Sequence, residues 1–242
     1  MKPDNPANML KISIIIPVYN EAGQIGKLLD WLKKFTAEDT QTDILVVDGG
    51  STDSTAEEVK SAGVRIIQSP KKGRAAQMNF GVRESTGDVI YFLHADTFPP
   101  ENITTSIRSA LNAGKESGCS RLRFDEQSWV MKFYAWFTRF DLLPFRFGDQ
   151  GLFVKRDVFV AMNGFREELV VMEDNEMIRL LRKRGSFVIL PDYVTTSARK
   201  YRENGFLRLQ VIFSIIFALH YAGASQQMLV RFYKDVIKGS KI

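Results

Sequence analysis

Residues 12–21 read ISIIIPVYNE. The β-branched run from Ile12 to Val18 has no alternation of polar and apolar side chains, which suits a strand buried on both faces of a parallel sheet. A polar turn follows, and then Ile25, Leu28, Leu29, Leu32 and Phe35 recur at the spacing of one helix face. The same alternation continues downstream. A strand over residues 44–48 leads into Gly49-Gly50-Ser51-Thr52, and Ser54 with Glu57 has capping-box spacing for a second helix. A strand over 64–68, a helix over 75–84 and a strand over 89–93 complete a β-α-β-α-β-α-β order. That order predicts a parallel sheet with right-handed crossovers.

Past residue 100 the pattern loosens. It predicts a helix over 101–113, a strand over 121–124, an aromatic-rich segment over 129–147 and a short strand over 152–155. A helix over 175–184, a strand over 187–190 and two tail helices between 206 and 237, joined near 222–225, close the chain. The expected organisation is a single α/β domain over residues 1–242. It comprises a nucleotide-binding half at about 12–125, an acceptor and catalytic half at about 126–200, and a helical extension over 201–242.

Composition narrows the partners. The 242 residues suit one domain, and a hydrophobic content of 45% suits a packed core rather than a disordered chain. Lys and Arg exceed Asp and Glu by 33 − 28 = 5, which favours anionic partners without choosing among nucleotides, lipid surfaces and nucleic acid. One cysteine, Cys119, permits no intrachain disulfide and no cysteine-based zinc site, and reads as a small apolar residue at a strand start. A reducing, cytoplasmic setting is expected. The polar N-terminus over residues 1–11 is not read as a secretory signal, and the most apolar run, 211–219, falls short of the 20 or so residues a span needs.

Ligands of open α/β sheets bind outside the carboxyl ends of the strands, and there the polar residues of this chain collect. Strand one ends in Pro17-Val18-Tyr19-Asn20-Glu21 and strand two in Asp48-Gly49-Gly50-Ser51-Thr52-Asp53. Strand three precedes Pro70-Lys71-Lys72-Gly73-Arg74, and strand four ends in His94-Ala95-Asp96. They supply parts for a base, a ribose, a diphosphate and a metal. The dinucleotide fingerprint and the Walker sequence are both absent, which counts against a dehydrogenase and a P-loop ATPase.

Four of these elements in this order resemble family 2 glycosyltransferases of the GT-A fold: Pro17 to Glu21, Val46 to Asp53, His94 to Asp96, and Glu173-Asp174 well downstream. Within that family the chain looks most like a small bacterial group with an H-A-D metal element and a G-D-Q-G loop, here Gly148-Asp149-Gln150-Gly151. The resemblance implies inverting transfer from a nucleotide-diphosphate sugar, UDP-type by expectation, to an acceptor hydroxyl, with Mg²⁺ or Mn²⁺. With Pro17 in the strand-end motif, Tyr19 would pack on the base, Glu21 would lie near the ribose, Asp48 would accept from the base, and Arg74 would face the diphosphate. Asp96 would bind the metal, His94 would be structural or touch substrate, and Asp149 and Gln150 would flank the donor sugar or acceptor. Asp174, paired with Glu173, would be the general base. Two positions depart from the family pattern: Gly49 stands for the second acid of the strand-two motif, and His94 for the first acid of D-x-D.

The chemistry asks for these residue types independently. A hard divalent cation takes carboxylate, water and phosphate oxygens and offsets charge on a departing diphosphate. Inverting displacement needs a carboxylate to take the acceptor proton. Plain structural readings stand beside these: Asp96 and Asp174 as helix caps, Tyr19 as a core ring, Lys71 and Lys72 as a solvated loop, and 148–151 as a turn. Arg199, Lys200 and Arg202 form a second basic cluster, and the resemblance implies that one of them closes the site, since many family members do so with a basic residue at this place. A sugar-phosphate nucleotidyltransferase and a non-catalytic, basic nucleic-acid-binding protein are the alternatives. The former lacks its Gly-rich loop after strand one, and the latter does not explain the ordered carboxylates, so no nucleic-acid partner is expected. The acceptor stays open among lipid, glycan and small molecule. For the aromatic segment, core packing, an acceptor groove and a membrane-facing surface stay open; for residues 206–221, a core helix, a dimer interface and peripheral attachment to a membrane surface do.

Overall fold

In the computed structural model, residues 9–126 and 128–239 are described. Most of the N-terminal stretch, residues 1–8, and the last three residues of the tail lie outside them. Eight strands form one sheet in the order β3-β2-β1-β4-β7-β6-β8-β5. Strands β1 (Ile12–Val18), β2 (Thr42–Asp48), β3 (Arg65–Gln68) and β4 (Val89–Phe92) are mutually parallel, as the sequence predicts. The chain runs outward from β1 to β3 and then returns to place β4 on the other side of β1. That reversal opens a crevice at the carboxyl ends of β1 and β4, where α/β folds bind ligands.

The second half departs from a purely parallel sheet. Strand β7 (Leu152–Lys155) is antiparallel to both β4 and β6 (Ser117–Phe124), while β8 (Phe187–Thr196) is parallel to β6. Strand β8 runs six residues beyond the predicted end because Pro191 does not stop it. The pairing jumps from Ser120↔Leu190 to Arg121↔Tyr193, so Pro191 and Asp192 bulge out of the ladder, where a missing N–H costs nothing. The extension pairs with a two-residue strand, β5 (Thr97–Phe98), absent from the sequence reading. This pairing, with Ser197 N donating to Asp96 O at 3.2 Å, fixes the Asp96 loop against the sheet and leaves no helix there for Asp96 to cap.

Helices cover both faces. On one, α1 (Ile25–Thr36), α2 (Thr55–Ser61) and α4 (Ile103–Asn112) bury Ile25, Leu28, Leu29, Leu32, Val59 and Ile107 against β1 and β4. On the other, α3 (Arg74–Glu84), α6 (Arg156–Ala161) and α7 (Glu173–Lys183) bury Met78, Val82, Phe159, Ile178 and Leu181. Helix α3 lies close to the sheet at Gly81, where a Cβ would sit 2.6 Å from an Ile15 methyl. The Ser54–Glu57 capping box does not form. Ser54 Oγ instead reaches Glu58 at 3.3 Å, and Asp53 accepts the Thr55 N–H at 3.1 Å. Cys119 lies buried inside β6 rather than at its start.

The aromatic segment folds into α5 (Trp129–Phe137) and a 3-10 turn over Leu143–Phe145, anchored on β6 and β8 by Met131 and Ala135. A short helix, α8 (Arg199–Asn204), precedes the expected tail pair, α9 (Phe206–Tyr221) and α10 (Gln226–Val236). Leu209, Ile212 and Ile216 of α9 pack with Leu229 and Tyr233 of α10 and with Val171 and Met172, so one face of α9 is core. Among the described residues no helix is long and apolar enough to cross a membrane.

One polar cluster ties the first helical layer to the sheet. Arg108 of α4 donates to both Asp39 carboxylate oxygens (2.8 and 3.1 Å) and to Leu10 O, Gln41 O and Thr42 Oγ1. Burial pushes the Asp39 carboxyl up, but the Arg108 and Thr42 hydrogen bonds outweigh it and hold the group below its usual range. A depressed carboxyl stabilises the fold above its unfolded pKa, and that contribution is lost as pH falls through the folded value. Asp39→Asn should therefore cost about 1.5–3 kcal/mol at pH 7. In urea unfolding the gap from the parent should narrow below about pH 4, the unfolded carboxyl range.

Candidate functional site

The turn after β1 is built by the loop after β2. Asp48 accepts from Ser51 N (3.0 Å) and Ser51 Oγ (2.6 Å), and Ser51 Oγ accepts from Asn20 N at 2.9 Å. Asn20 sits at φ 54° and receives the Thr52 N–H at 2.8 Å, while Thr55 Oγ1 takes the Glu21 N–H at 2.8 Å. These bonds hold the backbone at Tyr19 and Glu21. Pro17, Tyr19 and Glu21 line a cleft of about 480 Å³ together with Gly49, Gln77, Arg74, His94, Asp96, Arg199 and Lys200. Asp48 is buried beneath this wall, not on it.

A second compartment of about 190 Å³ adjoins the first. Asp149, Glu173 and Asp174 line it, with Tyr134, Phe147, Phe213 and Ile216 forming an apolar wall. Arg74, His94, Asp96, Lys200 and Tyr233 border both compartments. The structure thus brings Pro17, Tyr19, Glu21, Arg74, His94, Asp96, Asp149, Glu173 and Asp174 to one continuous cleft.

Three elements converge at the junction. Met172, in the left-handed region at φ 73°, turns the chain so that α7 begins with Glu173 and Asp174 in its first turn. Asp174 is consequently not an N-cap; it lies where the helix dipole favours an anion. Arg74, the first residue of α3, reaches across: Nε donates to Glu173 Oε1 at 2.5 Å, and Nη2 meets Glu173 and, at 3.3 Å, Asp174 Oδ2. His94 Nε2 lies 3.7 Å from the same Asp174 oxygen. The third element is the 3-10 turn over Gly148–Gln150. A Cβ at Gly148 would stand 2.2 Å from Asp174 Oδ2 and 2.7 Å from His94 Nε2, so only glycine lets this turn close on the pair.

The carboxyls are driven apart electrostatically. Burial pushes Glu173 up against the opposing pull of Arg74. At Asp174 burial acts the same way, but the Arg74 charge and the nearby His94 ring outweigh it and keep the group low. Asp149 is pushed up to about 6, chiefly by burial and further by the nearby Asp96 and Asp174 charges, against His94 and Lys200. Such a split is what acid–base sites are built from.

Gln150 lies elsewhere. It is 1% exposed and off both compartments; its Oε1 accepts from Arg146 Nη1 at 2.8 Å and its Nε2 donates to Phe145 O at 2.7 Å. Arg146, itself fully buried, also donates to Thr138 O and Phe140 O, tying the end of α5 to the glycine turn. Asn175 continues the scaffold by donating to Leu143 O and Arg146 O and accepting from Tyr221 Oη. Of the distal basic cluster, Arg199 and Lys200 reach the cleft, while Arg202 pairs with Asp125 and Glu126. Lys71 binds Glu167, while Lys72 lines the cleft. Sequence reasoning missed Gln77, Phe213 and Tyr233, and met Tyr134 only within the aromatic segment as a whole. All sit on helices whose apolar neighbours mask them, and only the fold brings Tyr233 across more than 130 residues to Asp96.

For a divalent cation the donor set is incomplete by itself. Asp96 faces both compartments, and among the described residues no group of three or more His, Cys, Asp or Glu side chains could hold a metal. His94 Nε2 is buried without a hydrogen-bond partner. One carboxylate in an open cleft fits a Mg²⁺- or Mn²⁺-like ion that also takes phosphate oxygens and water, not an all-protein cage.

Residues 13–170 match the family model described as glycosyl transferase family 2. Glycosyltransferase AglE of Haloferax volcanii is 35% identical over 94 residues, covering 36% of this chain and 31% of that protein. The undecaprenyl-phosphate 4-deoxy-4-formamido-L-arabinose transferase of Proteus mirabilis is 29% identical over 131 residues, covering 50% and 40%. The chain therefore spans less than half the length of these relatives. Among solved structures, the Pyrobaculum calidifontis mannosyltransferase in complex with GDP-Man and Mn²⁺ superposes with a TM-score of 0.69 at 17% identity, covering 95% of this chain and 71% of that one. Glucosyl-3-phosphoglycerate synthase from Mycobacterium tuberculosis gives 0.62 at 17%, covering 90% and 81%. These likenesses place the fold in the GT-A class.

Removing Arg74 would leave two adjacent buried carboxylates without their cation. Glu173 would then be raised further, and a raised acid stabilises the fold only below its unfolded pKa. Arg74→Ala should therefore lose more stability between pH 5 and pH 8, read by urea unfolding, than the parent, where Asp149 already gives a dependence of the same sign. Adding Glu173→Gln should shrink that excess.

Proposed function

Because the chain belongs to glycosyl transferase family 2, we propose that it transfers a sugar, with inversion, from a UDP-type nucleotide sugar to an acceptor hydroxyl. The observation that carries this reading is the junction of the compartments. A cleft of nucleotide-sugar size meets a smaller one at Arg74, His94, Asp96 and Lys200, with Asp174 beside it. The donor would occupy the larger compartment, with its base toward Tyr19 and its diphosphate toward Arg74 and Lys200. The acceptor would enter the smaller one. Family membership also sets aside the nucleotidyltransferase alternative.

In this reading the bond from acceptor oxygen to anomeric carbon forms as the bond from anomeric carbon to diphosphate oxygen breaks. The acceptor proton passes to Asp174, and the nucleoside diphosphate leaves with the electron pair. A divalent ion, Mg²⁺ or Mn²⁺, held by Asp96 and the diphosphate would offset the charge on that leaving group. Arg74 links binding to basicity. While it pairs with Asp174 the carboxylate is a weak base, and once a diphosphate shares the guanidinium the carboxylate regains proton affinity. Glu173 holds Arg74 in place. Asp149 is poised near neutrality to bond a sugar or acceptor hydroxyl.

Replacing Asp174 by Asn keeps the shape and removes the base. The variant should bind UDP and Mn²⁺ as the parent does yet turn over at least ~100-fold more slowly. An unchanged rate would move the base to Asp149. Asp96→Ala should lose the Mn²⁺-dependent part of nucleotide binding, read by calorimetry with and without the metal.

The outer face of α5 supports an acceptor presented at a lipid surface. Trp129 and Phe133 are 77% and 61% exposed. Lys132 and Arg139 stand among them with no acid between residues 128 and 140, and the Arg139 guanidinium lies over the Trp136 ring. Exposed aromatic rings interleaved with cations suit an anionic headgroup layer, and the inner side of this helix contributes Tyr134 to the acceptor compartment. The protein should float with phosphatidylglycerol vesicles more than with phosphatidylcholine vesicles. Trp129→Ser with Phe133→Ser should abolish the difference; no flotation in either case would point to an acceptor drawn from solution.

A further inference from the structure

Within the donor compartment we propose that Gln77 reads the nucleobase, accepting a hydrogen bond from a ring N–H through Oε1. It would thereby favour uracil or guanine over cytosine or adenine. The proposal rests on the nucleotide-sugar reading of the cleft. Gln77 lies one turn into α3, only 4% exposed, yet on the cleft wall between Gly49 and Arg74. Its Nε2 donates to Val18 O and to Val47 O, each at 2.8 Å, which joins the ends of β1 and β2. The amide orientation follows from chemistry. Turned over, Oε1 would face two carbonyl oxygens with no hydrogen among the three atoms. Both Nε2 hydrogens are thus spent on the sheet, and Oε1 is left as an acceptor held in one place.

Two neighbours make this atom the reader. Asp48, the acid the resemblance assigns to the base, lies behind the wall with its carboxylate engaged by Ser51 N and Oγ. Gly49 stands in front of the amide. A Cβ there would be 3.0 Å from Cδ and Oε1 of Gln77 and 3.1 Å from Nε2, so a side chain at this position would cover the amide, its acceptor included. The departure from the family pattern at Gly49 and the amide at Gln77 are then one device: the second acid is absent because a neutral amide occupies its place. Uracil and guanine each present a ring N–H on the edge used for base pairing, and cytosine and adenine present a lone pair there. Against a fixed carbonyl oxygen, the lone pair finds no hydrogen and loses its water. Sites built this way discriminate strongly between donor and acceptor analogues.

The test is calorimetric titration with UDP, GDP, CDP, ADP and N3-methyl-UDP in the presence of Mn²⁺, with inorganic pyrophosphate as the base-free probe. The parent should bind UDP or GDP at least tenfold more tightly than CDP, ADP and N3-methyl-UDP. In Gln77→Met the penalty for N3-methylation should vanish while pyrophosphate affinity stays unchanged. If that variant does not fold for want of its two strand bonds, Gly49→Ala, which crowds the amide without removing a hydrogen-bonding group, should weaken UDP and spare pyrophosphate. Nucleotides that bind with no preference for a ring N–H, or a methyl penalty that persists in Gln77→Met, would overturn the assignment and leave the nucleotide site standing. Failure of every nucleotide and of pyrophosphate to bind would overturn both.

Discussion

Arg74 reaches from the first residue of α3 to the first two residues of α7, almost a hundred positions downstream. Glu173 and Asp174 are 2% and 6% exposed. Two carboxylates side by side at such depth cannot both stay charged without a cation, because taking them out of water costs several kcal/mol each. The guanidinium answers this with a forked contact that a lysine could not reproduce. It also joins the parallel half of the sheet to the half that carries the smaller compartment, so the geometry of the cleft depends on one ion pair. The same pair leaves Glu173 raised and Asp174 low, a division of labour between two residues adjacent in the chain.

Around that centre, many polar residues of the motifs serve the scaffold rather than a ligand. Asp48, Ser51, Thr52, Asp53 and Thr55 bond the turn after β1, so that Tyr19 and Glu21 are presented by a loop that satisfies itself. Gln150 and Arg146 do the same beneath the glycine turn. A buried backbone turn needs partners for its N–H and C=O groups, and side chains one or two residues from a ligand are the nearest supply. Motif residues at a strand end therefore divide into those facing the cleft and those holding them up.

The tail is part of the site. Helices α9 and α10 pack through Leu209, Ile212, Ile216 and Leu229 onto Val171 and Met172, directly before α7. This packing brings Tyr233 over the junction, where its hydroxyl accepts from Lys200 Nζ at 3.1 Å. The apolar run in α9 serves this interface on one side and leaves Leu207, Val211 and Ile215 exposed on the other.

The sequence alone determined the parallel half of the sheet, since buried parallel strands must be apolar on both faces and Ile12 to Val18 allows little else. It likewise placed Tyr19, Arg74 and Asp96 at one cleft, because strand ends and a helix start are local features that topology carries to one edge; Asp174 was joined to them by the family resemblance. The antiparallel insertion of β7 and the passage of β8 past Pro191 were not legible, because strand direction and a bulge depend on a partner strand distant in sequence. Nor could the sequence separate Asp48 and Gln150, which turn inward, from Glu21 and Asp149, which face the cleft. Each is a polar residue in a turn, and only the neighbours supplied by the fold (Ser51 for Asp48, Arg146 for Gln150) decide whether its side chain is buried in the scaffold or lines the cleft.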